Sequence, residues 1–170
     1  MTNLNLGLVG NGQISALIDD KATVVWSCLP QFDADPTFCR LLRDDTERDL
    51  PGFFEVEVLD YSHSEQAYIT NTAILETTLY DSNGGAVRVT DLAPRYEYVG
   101  RVFNPNMLLR RVEPLHGSPR IRIRLQPARD YGANHCDFTH GSNHIRYMCA
   151  DVTCRLTTNA SLTHIIDENT

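Results

Sequence analysis

The sequence has 170 residues, of which 42% are hydrophobic and 22% are charged, a composition typical of one globular domain with a hydrophobic core. Its formal net charge of −7 argues against nucleic acid and against an anionic membrane surface as partners, because both require a basic face. It contains no run of about 18 apolar residues and no secretory signal, so we expect neither a transmembrane helix nor export. The five cysteines are therefore expected to be reduced thiols in a cytoplasmic protein.

The first predicted elements are a β-hairpin and a short helix. Residues 13–26 predict a hairpin that turns at residues 19–21. A helix is predicted over Pro36–Leu42, because Asp35 can serve as its N-cap and a proline at the first helical position lacks only an N–H that would be unpaired anyway. The apolar face of this helix would consist of Phe38, Leu41 and Leu42.

Two later segments alternate apolar and charged residues, which is the pattern of a strand with one buried face. The first segment has apolar Phe54, Val56 and Val58 alternating with Glu55 and Glu57. The second has apolar Ile121, Ile123 and Leu125 alternating with Arg120, Arg122 and Arg124. We expect the apolar residues to face the core and the charged residues to face water, where a cross-strand ion pair adds only about 0.2–1 kcal/mol.

The remaining elements are also predicted to be strands. Residues 74–92 predict a second hairpin, whose turn at residues 81–85 contains Asn83 and two glycines that readily adopt positive φ. Further strand candidates are residues 107–112, 144–147, 152–156 and 162–166. Short strands with turns at regular intervals predict an all-β antiparallel sandwich with one short helix. The chain stops inside an apolar run, LTHIIDENT, so we expect it to be truncated at its C-terminal end.

Residues of metal-binding types lie close together in one region. They are His135, Cys136, His140, His144 and Cys149. Zinc sites pair such residues at short fixed spacings, but here only the two histidines at 140 and 144 come near one, and His140 precedes a glycine in a predicted turn. We therefore interpret these residues as loop histidines and buried thiols, and we predict no metal site and no cofactor.

No residue of the chain is predicted to be catalytic. The G-x-S-x-G nucleophile motif is missing from the sequence. The glycines at positions 7, 10 and 12 precede a predicted strand instead of a helix, so they do not form a phosphate-binding loop. The 22 acidic residues include no pair that the sequence marks as a general acid and base.

The stretch VVWSCLPQFDADPTFCRLL carries the most concentrated signal of a binding site. Trp26 and Phe32 offer flat apolar faces, and Gln31, Asp33 and Asp35 offer hydrogen-bonding groups, a combination that suits sugars. The alternative is a packed connection between strand and helix, in which Trp26 is buried, Asp35 caps the helix and Asp33 binds a nearby backbone amide. The residues alone leave both interpretations open.

Five stretches of the sequence, in this order and spacing, together resemble one known family. They are GLVGNGQISALID, VVWSCLPQFDADPTFCRLL, YITNTAILETTLYDSNGGAVRVTDLAPR, LLRRVEPLHGSPRIRIRLQPARDYG and GSNHIRY. The chain resembles the N-terminal domain of bacterial glycoside hydrolase family 15 proteins, the glucoamylase and trehalase-like group. The resemblance extends over most of the 170 residues. Where the family more often has arginine, this chain has Gln31.

The resemblance implies that residues 1–170 form a β-sandwich of the large supersandwich type. In the family a linker and an (α/α)6 barrel follow, and the barrel carries the two catalytic glutamates of an inverting hydrolysis. Because this chain lacks the barrel, the resemblance assigns it no catalytic residue and implies that the chain alone is inactive. It also implies that the domain packs against the barrel. We expect the loop at residues 29–35 to lie towards that interface near the active-site mouth, with Gln31, Phe32 and Asp33 facing the barrel or its α-glucoside substrate.

Two functions of different classes follow from these observations. In the first, the chain is the non-catalytic N-terminal accessory domain of an α-glucoside hydrolase. In the second, it is a free-standing carbohydrate-binding or assembly module. Coding sequence for a barrel directly after Thr170 would favour the first function, and a stop codon there would favour the second. Without a barrel to cover its apolar surface, we expect the chain to form a homo-oligomer.

Overall fold

The computed structural model describes residues 4–43, 50–149, 151–162 and 165. Most of these residues lie in short β-strands. The strands are β1 (Gly7–Gly10), β2 (Ser15–Ile18), β3 (Val24–Cys28), β4 (Pro36–Phe38), β5 (Phe53–Val58), β6 (Tyr61–Tyr68), β7 (Leu75–Asp81), β8 (Ala86–Leu92), β9 (Tyr96–Tyr98), β10 (Arg101–Phe103), β11 (Leu109–His116), β12 (Ile121–Gln126), β13 (Ala128–Arg129), β14 (Asn134–His135), β15 (Asp137–His140), β16 (His144–Cys149) and β17 (Val152–Thr157). Single turns of 3-10 helix lie at Arg40–Leu42 and Asp130–Gly132.

Two large antiparallel sheets form the body of the domain. The first sheet has the strand order β1-β2-β3-β5-β12, with β4 paired to β3. The second has the order β11-β8-β7-β6. Strands β9 and β10 form a hairpin of their own, β13 pairs with β14, and β15, β16 and β17 form a three-stranded sheet. Every one of these pairings is antiparallel.

Apolar side chains of the two large sheets meet in two buried clusters. The first cluster joins side chains of β1, β2, β3 and β4 to Leu75 of β7. The second joins Val56 and Val58 of β5 to Leu79 of β7 and to Val87 and Val89 of β8. Fully burying one such side chain stabilises the fold by about 1.5–3 kcal/mol. The sheets are therefore held face to face by their apolar sides, and the prediction of an all-β sandwich is confirmed.

Both predicted hairpins are confirmed, as β2–β3 and β7–β8. In the first, Asp19 Oδ1 accepts hydrogen bonds from the backbone N–H groups of Lys21 (3.0 Å) and Thr23 (2.7 Å). In the second, Asp81 Oδ1 accepts bonds from the N–H groups two and four residues later, at 2.8 and 2.7 Å. An aspartate that pairs with backbone groups just ahead of it closes a turn by local chemistry. This is why these two elements can be read from the sequence.

The predicted helix over Pro36–Leu42 is wrong. Residues Pro36–Phe38 form β4, which pairs with β3, and only Arg40–Leu42 form a single 3-10 turn. The pairing buries Phe38, whose ring centre lies 6.5 Å from that of Phe54. This tertiary packing outweighs the local helix-start signal, and a proline at the first residue of an edge strand leaves no ladder hydrogen bond unmade.

Strand β5 also buries part of its second face, whereas the sequence predicts only one buried face. Val56 and Val58 face the core as expected. On the opposite face, Phe53 and Glu55 are only 1% and 7% exposed. Arg40 covers them, since its guanidinium lies 4.6 Å from the centre of the Phe53 ring and its Nη1 lies 2.7 Å from Glu55 Oε2. The prediction that Glu55 faces water is therefore wrong.

Strand β12 leaves its apolar side open. Ile121 and Ile123 are predicted to face the core, but they remain 39% and 38% exposed. They line a cleft of about 590 Å³ that Leu109 of β11 and Phe138 of β15 also line. Strand β12 is also the last strand of its sheet among the described residues, so one of its edges has no strand partner there.

The C-terminal strand predictions are confirmed only in part. Residues 107–112, 144–147 and 152–156 overlap β11, β16 and β17. In the predicted strand 162–166, Leu162 and Ile165 are helical instead, and the other three residues lie outside the described part of the chain. None of the helices in the described part is long and apolar enough to cross a membrane.

Two of the five cysteines are bonded to each other. Cys136, between β14 and β15, forms a disulfide with Cys149 at the end of β16. The expectation of five reduced thiols is therefore wrong for this pair. Cys28 and Cys39 are buried free thiols, and Cys154 is a half-buried one.

Candidate functional site

The loop at residues 29–35 connects β3 to β4, and it begins with a cis peptide bond between Leu29 and Pro30. A backbone hydrogen bond from Ala34 N–H to Gln31 O closes a tight turn. Gln31, Phe32 and Asp33 all lie on this turn and are exposed, Phe32 by 55%. The structure thus places the three predicted site residues on one exposed turn and buries none of them.

The flanks of this loop are anchored in the domain, although not as predicted. Trp26 lies in the middle of β3 and is half-buried. Asp35 caps no helix, so that prediction is wrong. Its carboxylate instead accepts hydrogen bonds from the backbone N–H groups of Asp130 (2.7 Å) and Tyr131 (3.1 Å). Because these two residues have φ values of 54° and 53°, a region that L-residues seldom occupy, Asp35 stabilises an otherwise unfavourable turn.

The thiols beside this loop are poor nucleophiles. Burial raises the pKa of Cys28, and the nearby carboxylates of Asp35 and Asp33 raise it further. Burial also raises the pKa of Cys39, against the opposing effect of Arg43. A raised pKa keeps a thiol protonated at neutral pH, and the reactive species is the thiolate. The chemistry that this loop offers is therefore contact and hydrogen bonding, not thiol catalysis.

Asn11 is a site residue that sequence reasoning missed. It lies in the β1–β2 turn and is 3% exposed. Its Oδ1 accepts backbone hydrogen bonds from Gln13 (2.9 Å) and Ile14 (3.1 Å), and its Nδ2 donates to the carbonyls of Pro94 (3.0 Å) and Pro105 (2.8 Å). One buried amide thus fixes both ends of the segment that carries β9 and β10. The sequence signal was an asparagine between two glycines, which indicates a turn but not its distant partners.

The loops described so far lie at the same end of the sandwich. Gly10, at the end of β1, is opposite Ser15 at the start of β2, and Ser27 near the end of β3 donates its hydroxyl proton to Ser15 O (2.8 Å). The β1–β2 turn and the β3–β4 loop therefore share one end, and Asn11 and Asp35 bring two more segments to it. We call this surface the loop end: residues 11–14, 29–35, 94–105 and 130–132.

A buried ion pair underlies the loop end, and it too was missed by sequence reasoning. Asp91 and Arg110 face each other on β8 and β11, with side chains 0% and 4% exposed. Two hydrogen bonds join them, Nε to Oδ1 at 2.7 Å and Nη2 to Oδ2 at 3.1 Å. Arg110 Nη1 also donates to the carbonyl of Phe54 in the opposite sheet (2.9 Å). The pair links the two sheets just beneath the loops.

The cluster of histidines and cysteines offers no metal-binding arrangement among the described residues. Cys136 and Cys149 are consumed in the disulfide. His135 and His140 are exposed, and His144 is half-buried. Burial, with help from Arg155 and Arg146, lowers the pKa of His144.

This chain is similar to one known protein family and to two known trehalases. Residues 4–169 match the family described as trehalase-like, N-terminal. A stretch of 90 residues, 52% of this chain, is 38% identical to Trehalase 1 of Sulfolobus acidocaldarius and covers 15% of its length. A stretch of 128 residues, 74% of this chain, is 27% identical to the trehalase of Thermoplasma volcanium and covers 20% of its length. The matches thus span a fifth or less of these relatives. No solved structure matches the chain.

Proposed function

The chain belongs to the trehalase-like N-terminal domain family, and on that premise we propose that it is the non-catalytic accessory domain of an α-glucoside hydrolase. In this proposal residues 1–170 form the β-sandwich that precedes a helical catalytic barrel of the glycoside hydrolase family 15 type. The sandwich packs against the barrel, and its loop end helps to shape the active-site mouth. The observation that carries the proposal is the anchored loop whose central residues Gln31, Phe32 and Asp33 are all exposed.

The exposure of Phe32 supports a partner at this loop. Leaving a phenylalanine in water forgoes about 1.5–3 kcal/mol of burial, and a turn needs no aromatic residue for its own geometry. Asp33 offers acceptor oxygens, and Gln31 offers both donors and an acceptor. Such groups can bind the hydroxyls of a sugar or backbone groups of an adjoining domain. In the proposal Phe32 is covered by the barrel, and Asp33 faces the active-site mouth.

The proposal places the catalytic groups in the helical barrel, outside residues 1–170. Glycoside hydrolysis requires a general acid and a base or nucleophile, and each contributes a large part of the rate. We expect the product of the whole gene to release glucose from trehalose, maltose or maltooligosaccharides, and the 170-residue chain to release none. Glucose release by the purified chain, lost on substitution of one of its own residues, would contradict the proposal. A gene that encodes no hydrolase portion would favour a free-standing carbohydrate-binding module.

Loop variants of the whole gene product test the role of the loop. We expect Phe32→Ala and Asp33→Ala each to lower kcat/KM roughly three- to tenfold, which corresponds to about 0.6–1.4 kcal/mol of transition-state stabilisation. In the 170-residue chain both should leave Tm nearly unchanged, since both side chains are exposed. Tyr61→Ala and Glu57→Ala are matched controls away from the loop end, and they should not change kcat/KM. If both loop variants unfold the 170-residue chain but leave the activity of the whole gene product unchanged, the loop is only a packed turn.

A further inference from the structure

The β9–β10 hairpin stands apart from both large sheets. Its strands, Tyr96–Tyr98 and Arg101–Phe103, pair with each other and with no other strand of the described part of the chain. All six residues are exposed. A lone two-stranded hairpin is at best marginally stable in water, so an element of this kind persists only when something else fixes it.

The root of this hairpin is fixed by the buried side chain of Asn11. Its amide binds Pro94 O on one side of the hairpin and Pro105 O on the other. A backbone hydrogen bond from Met107 N–H to Pro105 O (2.8 Å) continues the anchor. The hairpin is thus held in place at the loop end before any partner arrives, and such preorganisation lowers the entropy cost of binding.

One face of the hairpin is aromatic. The register pairs Phe103 with Tyr96 and Arg101 with Tyr98, so these four side chains share a face, whereas Val102 is on the other. The rings of Tyr96 and Phe103 stack with their centres 5.6 Å apart. Tyr98 is 67% exposed. Aromatic residues and arginine are the types most enriched at the energetic centres of protein interfaces.

The tip of the hairpin combines exposure with backbone strain. Val99 is 81% exposed and has a φ of 50°. A β-branched residue is a genuine outlier in this region, where asparagine or glycine is the usual choice in a tight hairpin. Valine at this position is thus unfavourable for the isolated domain both in conformation and in hydration. A strained, exposed residue of this kind points to a contact outside the domain.

We propose that the β9–β10 hairpin is the docking element through which the sandwich binds the hydrolase portion of its own polypeptide. The inference rests on the proposed function, since it requires that portion to exist. The size of the relatives favours this partner, because the matched stretches cover only 15% and 20% of their lengths and leave most of such a polypeptide outside the sandwich. The position of the hairpin root at the loop end also favours it, since the exposed loop at residues 29–35 lies there.

Side-chain oxidation by hydroxyl radicals tests the docking directly. The 170-residue chain and the whole gene product are oxidised under the same conditions, and the rate at each tyrosine is measured by mass spectrometry. We expect Tyr98 to be oxidised several-fold more slowly in the whole product, and Tyr61, at the opposite end of the sandwich, to react equally in both. Equal oxidation of Tyr98 in the two proteins would overturn the proposal. If oxidation of Tyr98 in the 170-residue chain slows as the concentration of that chain rises, Tyr98 contacts a second copy of the chain instead. That result would also overturn the proposal.

A substitution at Val99 separates docking from folding, because the two effects have opposite signs. In the 170-residue chain Val99→Asn should raise Tm, since asparagine accepts positive φ more readily. In the whole gene product it should lower the Tm of the sandwich and restore fast oxidation of Tyr98. Tyr98→Ser should also lower the Tm of the sandwich in the whole product, and Tyr61→Ser should not. A rise in Tm of equal size in both proteins would overturn the proposal.

The two proposals fail in distinguishable ways. A whole gene product that hydrolyses no α-glucoside refutes the proposed function whatever the hairpin does. A product that hydrolyses the sugar, yet leaves Tyr98 as reactive as in the chain alone, refutes only the docking role of the hairpin. A gene without a hydrolase portion refutes both.

Discussion

At the scale of single residues, Asp19 shows how one side chain can stabilise a turn and still carry a cost. Its Oδ1 accepts the two backbone hydrogen bonds that close the β2–β3 hairpin. The pKa of Asp19 is raised above its ordinary value of 3.8, and burial is the largest cause, although those two hydrogen bonds act in the opposite direction. The folded state therefore binds the proton more tightly than the unfolded state, so the ionised carboxylate makes folding less favourable.

Asp19→Asn tests this balance. Asparagine keeps the acceptor oxygen and removes the charge, so we expect a higher Tm than wild type at pH 7. The contribution of Asp19 to stability is fully present below pH 3.8 and is lost as the pH rises through its raised pKa. The advantage of the variant should therefore shrink as the pH falls and vanish near pH 3. A variant that is less stable at every pH, as measured by thermal unfolding between pH 3 and 7, would contradict the assignment.

At the scale of elements, the connection from β3 to β4 is held by a bond that no local pattern indicates. The Asp35 carboxylate accepts hydrogen bonds from the backbone N–H groups of Asp130 and Tyr131. It thereby joins the β3–β4 loop to the 3-10 turn at Asp130–Gly132. Each of its two oxygens binds one N–H group. The β3–β4 loop and the 3-10 turn form one structural unit, because the Asp35 carboxylate of the loop binds two N–H groups of the turn.

Removing this carboxylate should loosen both parts together. We expect Asp35→Ala to lower the free energy of unfolding by about 1–3 kcal/mol, since two N–H groups lose a charged acceptor. Asp35→Asn keeps one acceptor oxygen and should lose less than the alanine variant. Urea unfolding of the 170-residue chain measures both values. An alanine variant as stable as wild type would mean that water replaces these hydrogen bonds at no cost.

At the scale of the whole molecule, the two large sheets are joined by apolar contacts and by one buried charge network. Arg110 pairs with Asp91 in its own sheet and donates to Phe54 O in the other. Its guanidinium also lies 4.5 Å from the centre of the Phe54 ring. A buried ion pair of this kind adds little net stability by itself, but the loss of one partner leaves an uncompensated charge in the core.

Arg110→Met should be among the most damaging substitutions in the chain. We expect a loss of about 3–5 kcal/mol in the free energy of unfolding, because Asp91 is then buried without a partner. Arg122→Met is the matched control, since Arg122 and its partner Glu57 are 49% and 44% exposed, and it should cost only about 0–1 kcal/mol. Equal effects of the two variants in denaturant unfolding would show that the Arg110 pair carries no special role.

The open side of β12 bears on assembly, and the homo-oligomer stays a prediction. Ile121 and Ile123 line the cleft, and among the described residues β11 and β12 each end their sheet. Open edges beside apolar surface favour pairing between copies. We expect the 170-residue chain to be a dimer or larger by light scattering, and Ile123→Lys to shift it towards monomer. A monomeric wild-type chain at high concentration would contradict this prediction.

The features that could be predicted from the sequence are those whose interacting residues lie close together along the chain. The two hairpins and the exposed loop were readable, since Asp19 and Asp81 bind groups two and four residues ahead, and Phe32 lies in a turn that needs no aromatic ring. Strand β4 was not readable, because the local helix-start signal at Asp35 and Pro36 is outweighed by the pairing of Pro36–Phe38 with β3. The buried state of Glu55 was also unreadable, since alternation cannot show that Arg40 covers the second face of β5.

The sequence by itself determined that the chain is rich in β-strands, where the two hairpins turn, and which residue types the exposed β3–β4 loop presents. Each of these features depends on neighbours within a few residues. Only the tertiary structure decided what holds that loop and the β9–β10 hairpin at one end of the sandwich. Asp35 and Asn11 find their partners 83 to 96 residues away along the chain. Contacts of that separation depend on sheet order and register, which arise from the simultaneous burial of many apolar side chains and leave no mark in any single stretch of sequence.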